Sequence, residues 1–217
     1  MISPRVPRTA LVTGGARRIG RALVEMLVQQ GFTVAIHYRE SEADAQELRS
    51  QLGGRGCLLK ADLASEKDVE ALVADATEKL GPVGVLINNA SAFTRDEIGT
   101  TTRESWDQHI EPNLRAPFVL SQAMAQSLPD DAEGLILNML DQRVWNLTPH
   151  FVSYTVSKAG LWTLTQTLAL ALAPRIRVNA IGPGPVLPAV GQSQEHFDRM
   201  CAGTPLKRGA SPEEIAQ

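Results

Sequence analysis

Cysteine is nearly missing: Cys57 and Cys201 are the only two in 217 residues, and no CxxC or other metal-ligand spacing occurs. That excludes a disulfide framework and a thiolate-held zinc, so no metal is expected, and it suits a reducing cytoplasm. Surplus positive charge is missing as well. Lys and Arg number 21 against 24 Asp and Glu, for a net charge of −3, which leaves no basic field for nucleic acid. The adjacent Arg17 and Arg18 must therefore be read locally. Long apolar runs are lacking too. The most apolar stretch, 161–173, is broken by Thr163, Thr165, Gln166 and Thr167, and is too short and too polar to cross a bilayer. Residues 1–8 are basic and contain proline, without the apolar centre of a secretory signal. A cytoplasmic protein with no membrane partner is expected.

What is present is a 43% hydrophobic fraction with ordinary charge, enough for one sizeable core. Short apolar runs at 9–13, 33–38, 56–60, 83–88, 135–138 and 177–181 read as parallel strands buried on both faces. Helical patterns at 19–30, 42–52, 66–80, 116–128 and 152–172 lie between them. Gly31 stops the first, and Ser65 with Asp68 reads as a capping box for the third. Such alternation predicts an α/β fold with a doubly wound, Rossmann-type parallel sheet. Residues 1–8 form a tail and 9–217 a single domain. Ser211-Pro212-Glu213-Glu214 is a strong helix start close to Gln217, and either a frayed tail or, preferred here, truncation of a longer chain is expected.

The turn Thr13-Gly14-Gly15-Ala16-Arg17-Arg18-Ile19-Gly20 joins the first strand to the first helix. Glycines there let the backbone approach a pyrophosphate, which the free N–H groups of a helix start attract. Gly14, Arg18, Ile19 and Gly20 are the candidate contacts. After strand two the sequence reads His37-Tyr38-Arg39-Glu40-Ser41, lacking the carboxylate that would accept from the ribose hydroxyls of NAD. Arg18, Arg39 and Ser41 could instead hold a 2′-phosphate, pointing to NADP(H) as cofactor. Pairing of Glu40 with Arg39 on a solvated surface is the plainer alternative.

Tyr154 and Lys158 stand four apart at the head of a helix, so both side chains share one face. A cation there is expected to lower the phenol from about 10 towards neutrality, making it a proton donor and acceptor.

In order along the chain, the 13–20 turn, Ala61-Asp62-Leu63, Asn88-Asn89-Ala90, Asn113, Tyr154 with Lys158, and Gly182-Pro183-Gly184 resemble the short-chain dehydrogenase/reductase family. The resemblance covers 9–217. It implies that Asp62 and Leu63 meet adenine, Asn89 and Ala90 line the cofactor, Pro183 and Gly184 touch its nicotinamide end, Lys158 binds the ribose, and Asn113 supports a proton-relay water. A homotetramer is implied as well, with helices 116–128 and 152–172 in its interface. The family usually continues into another helix and a last edge strand beyond the point where this sequence stops.

Departures from the family pattern carry information too. Most members place Ser thirteen residues before the tyrosine, where this chain has Asp141. A carboxylate repels a developing oxyanion but suits a nitrogen that gains a proton. Arg18 replaces a glycine, and Ser91 follows Asn88-Asn89-Ala90, with Phe93 two residues on. Together these resemble the pteridine reductase and dihydromonapterin reductase subgroup, in which the phenylalanine stacks on a flat pterin while serine and arginine bind ligand and cofactor. The plainer readings are a core-filling Phe93 and an Asp141 that caps a loop helix. The expected function is NADPH-dependent reduction of a C=N bond in a dihydropteridine-like substrate. Asp141, Tyr154, Lys158 and Asn113 would be catalytic, with Arg18, Ser91, Phe93, Asp141 and Tyr154 around the substrate. A carbonyl reductase of the same family is the first alternative, and a non-catalytic NADPH-binding regulator comes from another class.

Overall fold

A computed structural model describes residues 2–189 and 191–217. Six short strands form one all-parallel sheet: β1 (Thr9–Val12), β2 (Thr33–Tyr38), β3 (Cys57–Lys60), β4 (Val85–Asn88), β5 (Gly134–Met139) and β6 (Ile176–Ile181), in the order β3-β2-β1-β4-β5-β6. The strands β1 and β4 are buried at every position, which explains their unbroken apolar runs. The helices are α1 (Arg18–Gln29), α2 (Glu42–Gln51), α3 (Glu66–Leu80), α4 (Arg103–Ile110), α5 (Ala116–Ser127), α6 (Val152–Leu172), α7 (Gln194–Gly203) and α8 (Pro212–Ala216). One core lies between the sheet and α3, α5 and α6, around Leu72, Leu86, Leu120 and Ile136. The other joins α1, α2 and α8 through Leu23, Leu27, Ile36, Leu48 and Ala216.

The sheet order reverses between β1 and β4, so their C-terminal ends diverge into the crevice where such folds bind ligands. A buried amide ladder sets α6 against this crevice. Asn88 Nδ2 donates to Asn138 Oδ1 at 2.8 Å, and Asn138 Nδ2 donates to Thr165 Oγ1 at 2.9 Å. No described helix is long and apolar enough to cross a membrane.

Several expectations are corrected. Ser65 makes no side-chain cap to α3, because Asp68 Oδ2 instead accepts from the backbone N–H of Asp62 at 3.0 Å. The expected helix start at Ser211 does form, as α8, with a capping box between Ser211 and Glu214 and Ala216 buried. Two helices, α4 and α7, arise where none was expected. In α4 only His109 is buried, so no apolar stripe announces it. Pro112 follows it, cannot donate, and sits in a π-helical turn, Glu111–Arg115, that carries Asn113.

Candidate functional site

A cleft of about 510 Å³ opens at the β1–β4 switch, lined by the glycine turn, the end of β2, Asp62, Leu63, Asn89, Ala90, Ser91 and Phe93. The turn is built for close approach. Gly14 has φ +61, and a Cβ on Gly20 would lie 2.0 Å from the carbonyl oxygen of Gly14, so neither tolerates a side chain. The start of α1 has neither a side-chain cap nor an acidic residue in its first turn, leaving N–H groups and a positive dipole end free.

Several expected cofactor residues act through the backbone of this turn. Asn89 Nδ2 donates to the carbonyl oxygens of Thr13 and Gly14 at 2.9 and 3.1 Å, and Thr13 Oγ1 accepts from the N–H groups of Asn89 and Ala90. His37 Nδ1 accepts from Gly14 N–H at 3.0 Å, and its Nε2 faces the Ala61 carbonyl oxygen at 3.2 Å. The ring proton therefore belongs on Nε2. Burial lowers the His37 pKa to about 4, against the opposing pull of the Ala61 carbonyl and Asp62. This is a neutral strut. Tyr38 and Ile19 flank the same cleft, and Ser41 lies at its rim.

The expected pair of arginines separates. Arg39 pairs with Glu40 at 3.1 Å, both exposed, as the plainer alternative had it. Arg18 adopts φ +56, and its guanidinium reaches the carbonyl oxygens of Leu187 and Pro188 at 3.4 and 2.9 Å. It thus ties the turn to the segment after β6.

Beside Phe93, which lines the cleft, the structure brings Asp141 and Tyr154 together: the Tyr154 hydroxyl donates to Asp141 Oδ2 at 2.9 Å. The second carboxylate oxygen accepts from Arg143 N–H at 2.8 Å and caps a short 3₁₀ turn, Gln142–Val144. Asp141 therefore caps a loop turn, as its plainer reading had it, and also meets the Tyr154 hydroxyl. Lys158 is fully buried, and its Nζ donates to the Met139 carbonyl oxygen at 2.7 Å. Burial brings it down to about 8, while Asp141 pulls it upward.

The phenol departs from expectation. Burial first, then the charge of Asp141 and the hydrogen bond to it, push Tyr154 well above 10, only partly offset by Arg143 and Ser91. A neighbouring carboxylate disfavours phenolate, and here it outweighs the cations.

Asn113 is buried and committed to its neighbours. It grips Ala92 on both sides, Oδ1 accepting from N–H at 2.8 Å and Nδ2 donating to the carbonyl oxygen at 3.0 Å, and it also reaches Ser157. Pro183 sits beside the Asp141 turn, its carbonyl oxygen accepting from Gln142 N–H at 3.2 Å, with Gly184 next to it.

Phe93 is 41% exposed, unlike a core-filling residue. It stacks on Phe151 at 4.6 Å and meets the Tyr154 ring edge-on at 4.7 Å. The Arg143 guanidinium lies 4.6 Å above Phe151. Sequence reasoning missed Phe151, Arg143 and His109. Only one signal was available for them: His109 and Asn113 share the i, i+4 spacing of Ser153 and Ser157.

Three comparisons bear on this site. The family model described as short chain dehydrogenase matches residues 8–198. Among solved structures, the FolM alternative dihydrofolate reductase 1 from Brucella canis, complexed with NADP, superposes with a TM-score of 0.94 at 46% identity, covering 99% of this chain and 87% of that one. Among curated relatives, a probable galactose dehydrogenase from Rhizobium meliloti is 39% identical over 83% of this chain and 72% of its own length. A 3-oxoacyl-[acyl-carrier-protein] reductase from Staphylococcus epidermidis is 31% identical over 96% and 88%.

Proposed function

The chain belongs to the short-chain dehydrogenase family, and from that premise we propose that it is an NADPH-dependent reductase acting on the C=N bond of a dihydropteridine-like substrate. NADPH suits the cleft: a left-handed Gly14, a close-packed Gly20 and an uncapped α1 receive the pyrophosphate, and no carboxylate ends β2. Bound there, NADPH would supply the hydride that the substrate carbon accepts. Lys158 holds the ribose, and the Tyr154–Asp141 pair delivers a proton to the adjacent nitrogen and is reprotonated from solvent. Phe93 offers a flat apolar face to the heteroaromatic ring.

The observation that carries this reading is the hydrogen bond from Tyr154 to Asp141 beside the exposed Phe93 ring. A carbonyl reductase would need a donor where Asp141 presents an acceptor. Support also comes from the 46% identity to a protein described as an alternative dihydrofolate reductase. Carbonyl reduction remains the second reading, favoured by the Asp141 cap on Arg143 and by the 3-oxoacyl reductase relatives.

Measuring kcat/KM for one dihydropterin and one activated ketone separates the two. Asp141→Asn is expected to lose dihydropterin reduction by about 10²-fold, and Asp141→Ser likewise, with some ketone activity gained. If wild type prefers the ketone and both variants lose it equally, Asp141 is structural and the carbonyl reductase stands.

A further inference from the structure

Phe93 is exposed, yet the backbone on either side of it is held by buried side chains. On one side Asn113 grips Ala92. On the other, His109 Nε2 accepts from Thr94 N–H at 3.0 Å. His109 is wholly buried, one helical turn before Asn113. Its Nδ1 faces the Ser105 carbonyl oxygen at 3.1 Å and Ser153 Oγ at 2.7 Å. Because Nε2 accepts, Nδ1 carries the ring proton, and the Ser153 hydroxyl is left to donate to Asp96 Oδ2.

Asp96 then closes the circuit. It is buried, and both its carboxylate oxygens face the Ser153 N–H at the first turn of α6, at 3.4 and 3.2 Å, while Thr101 donates to it. That turn needs the help, because its N-cap is Phe151, which has no capping side chain and sits at φ +62. The Phe151 N–H donates to the Asp96 carbonyl oxygen at 2.7 Å. Asp96 thus supplies from a distant loop the cap that α6 lacks, and complements its dipole. Burial alone would raise Asp96, but hydrogen bonds from Ser153 and Thr101 and the nearby His109 hold it below its ordinary value.

Two i, i+4 pairs therefore face each other, His109 and Asn113 against Ser153 and Ser157 on the helix that carries Tyr154. We propose that His109, joined through Ser153 to Asp96, is a positioning residue that fixes the Phe93 ring relative to Tyr154 and so sets how tightly a planar substrate is held. The proposal rests on Phe93 being the substrate face, as inferred above. His109 touches no reacting atom. It acts through the backbone of Thr94, so its effect belongs in KM and not in the proton-transfer step.

The test uses the full chain and two variants. Gln at 109 can accept from Thr94 and donate to Ser153, whereas Leu fills similar space and does neither. His109→Leu is expected to raise substrate KM by about tenfold, as for one lost buried hydrogen bond, with kcat and NADPH affinity changed by less than about twofold. His109→Gln is expected to restore KM. Hydrogen exchange followed by mass spectrometry supplies a readout without substrate: 92–97 should exchange faster in His109→Leu, while 154–165 stays protected. Unchanged KM and exchange in His109→Leu, or kcat lost with KM intact, overturns the proposal. If His109→Leu does not fold, Ser153→Ala, which removes the hydroxyl that joins His109 to Asp96 and leaves the Thr94 contact in place, is scored by the same criteria. Should wild type reduce an activated ketone and not a dihydropterin, the pterin reading fails, and the His109 variants are judged on the ketone's KM.

Discussion

Acid is expected to weaken the dinucleotide turn through one ring. His37 accepts from Gly14 N–H with Nδ1, and no proton can be added there without turning that contact into a clash of two donors. In the folded protein its pKa stands at about 4 against an ordinary 6.5, with burial as the main cause. The folded value is the lower one, so between those limits the unfolded chain binds the extra proton. Stability therefore falls as pH drops from about 6.5 to about 4, and this loss levels off below. The size follows from the shift, about 1.4 kcal/mol per pH unit across the window, hence about 3 kcal/mol in all. His37→Gln supplies the comparison, since its amide can accept from Gly14 and donate to Ala61 but does not titrate. Urea unfolding of both proteins at pH 7, 6, 5 and 4 isolates the ring, because shared carboxylates cancel in the difference. Wild type should lose about 3 kcal/mol relative to His37→Gln. Parallel stability curves would refute the neutral-strut account of His37.

Two further outcomes are expected. Lys158 titrates at about 8 while Tyr154 stays protonated above 10, so NADPH affinity should fall as pH rises through about 8. Fluorescence titration of Tyr154→Phe should show the same midpoint, and its disappearance would assign the step to the phenol. NADPH should bind at least about tenfold tighter than NADH, a gap of about 1.4 kcal/mol. Arg39→Ala should narrow that gap, and equal affinities in wild type would remove the 2′-phosphate argument.

The legible parts were those governed by local periodicity. All six strands were found to within two residues, most plainly β1 and β4, where burial on both faces leaves an unbroken apolar run. Helices with an apolar stripe followed for the same reason. Helix α4 did not, since its single buried side chain, His109, is polar. That Asp141 and Tyr154 belong to one site was implied by the family resemblance, and the structure sets the two within a hydrogen bond. The direction of the phenol's shift was not. It is set first by burial and then by the Asp141 carboxylate, and spacing along a helix reports neither. Arg18 shows the same limit: its residue type suggested a phosphate partner, but its left-handed backbone aims the guanidinium at Leu187 and Pro188.

The parallel sheet also dictates when the site comes into being. Ala10 pairs with Val85 across three complete crossovers, through α1, α2 and α3, so the floor of the cleft cannot exist until that stretch of the chain has closed on itself. Non-local pairings of this kind are slow to nucleate, because loop entropy is lost before contacts repay it. A dinucleotide that straddles β1 and β4 meets its complete site only after that barrier is crossed. It can therefore slow unfolding and raise Tm, but it cannot hasten refolding.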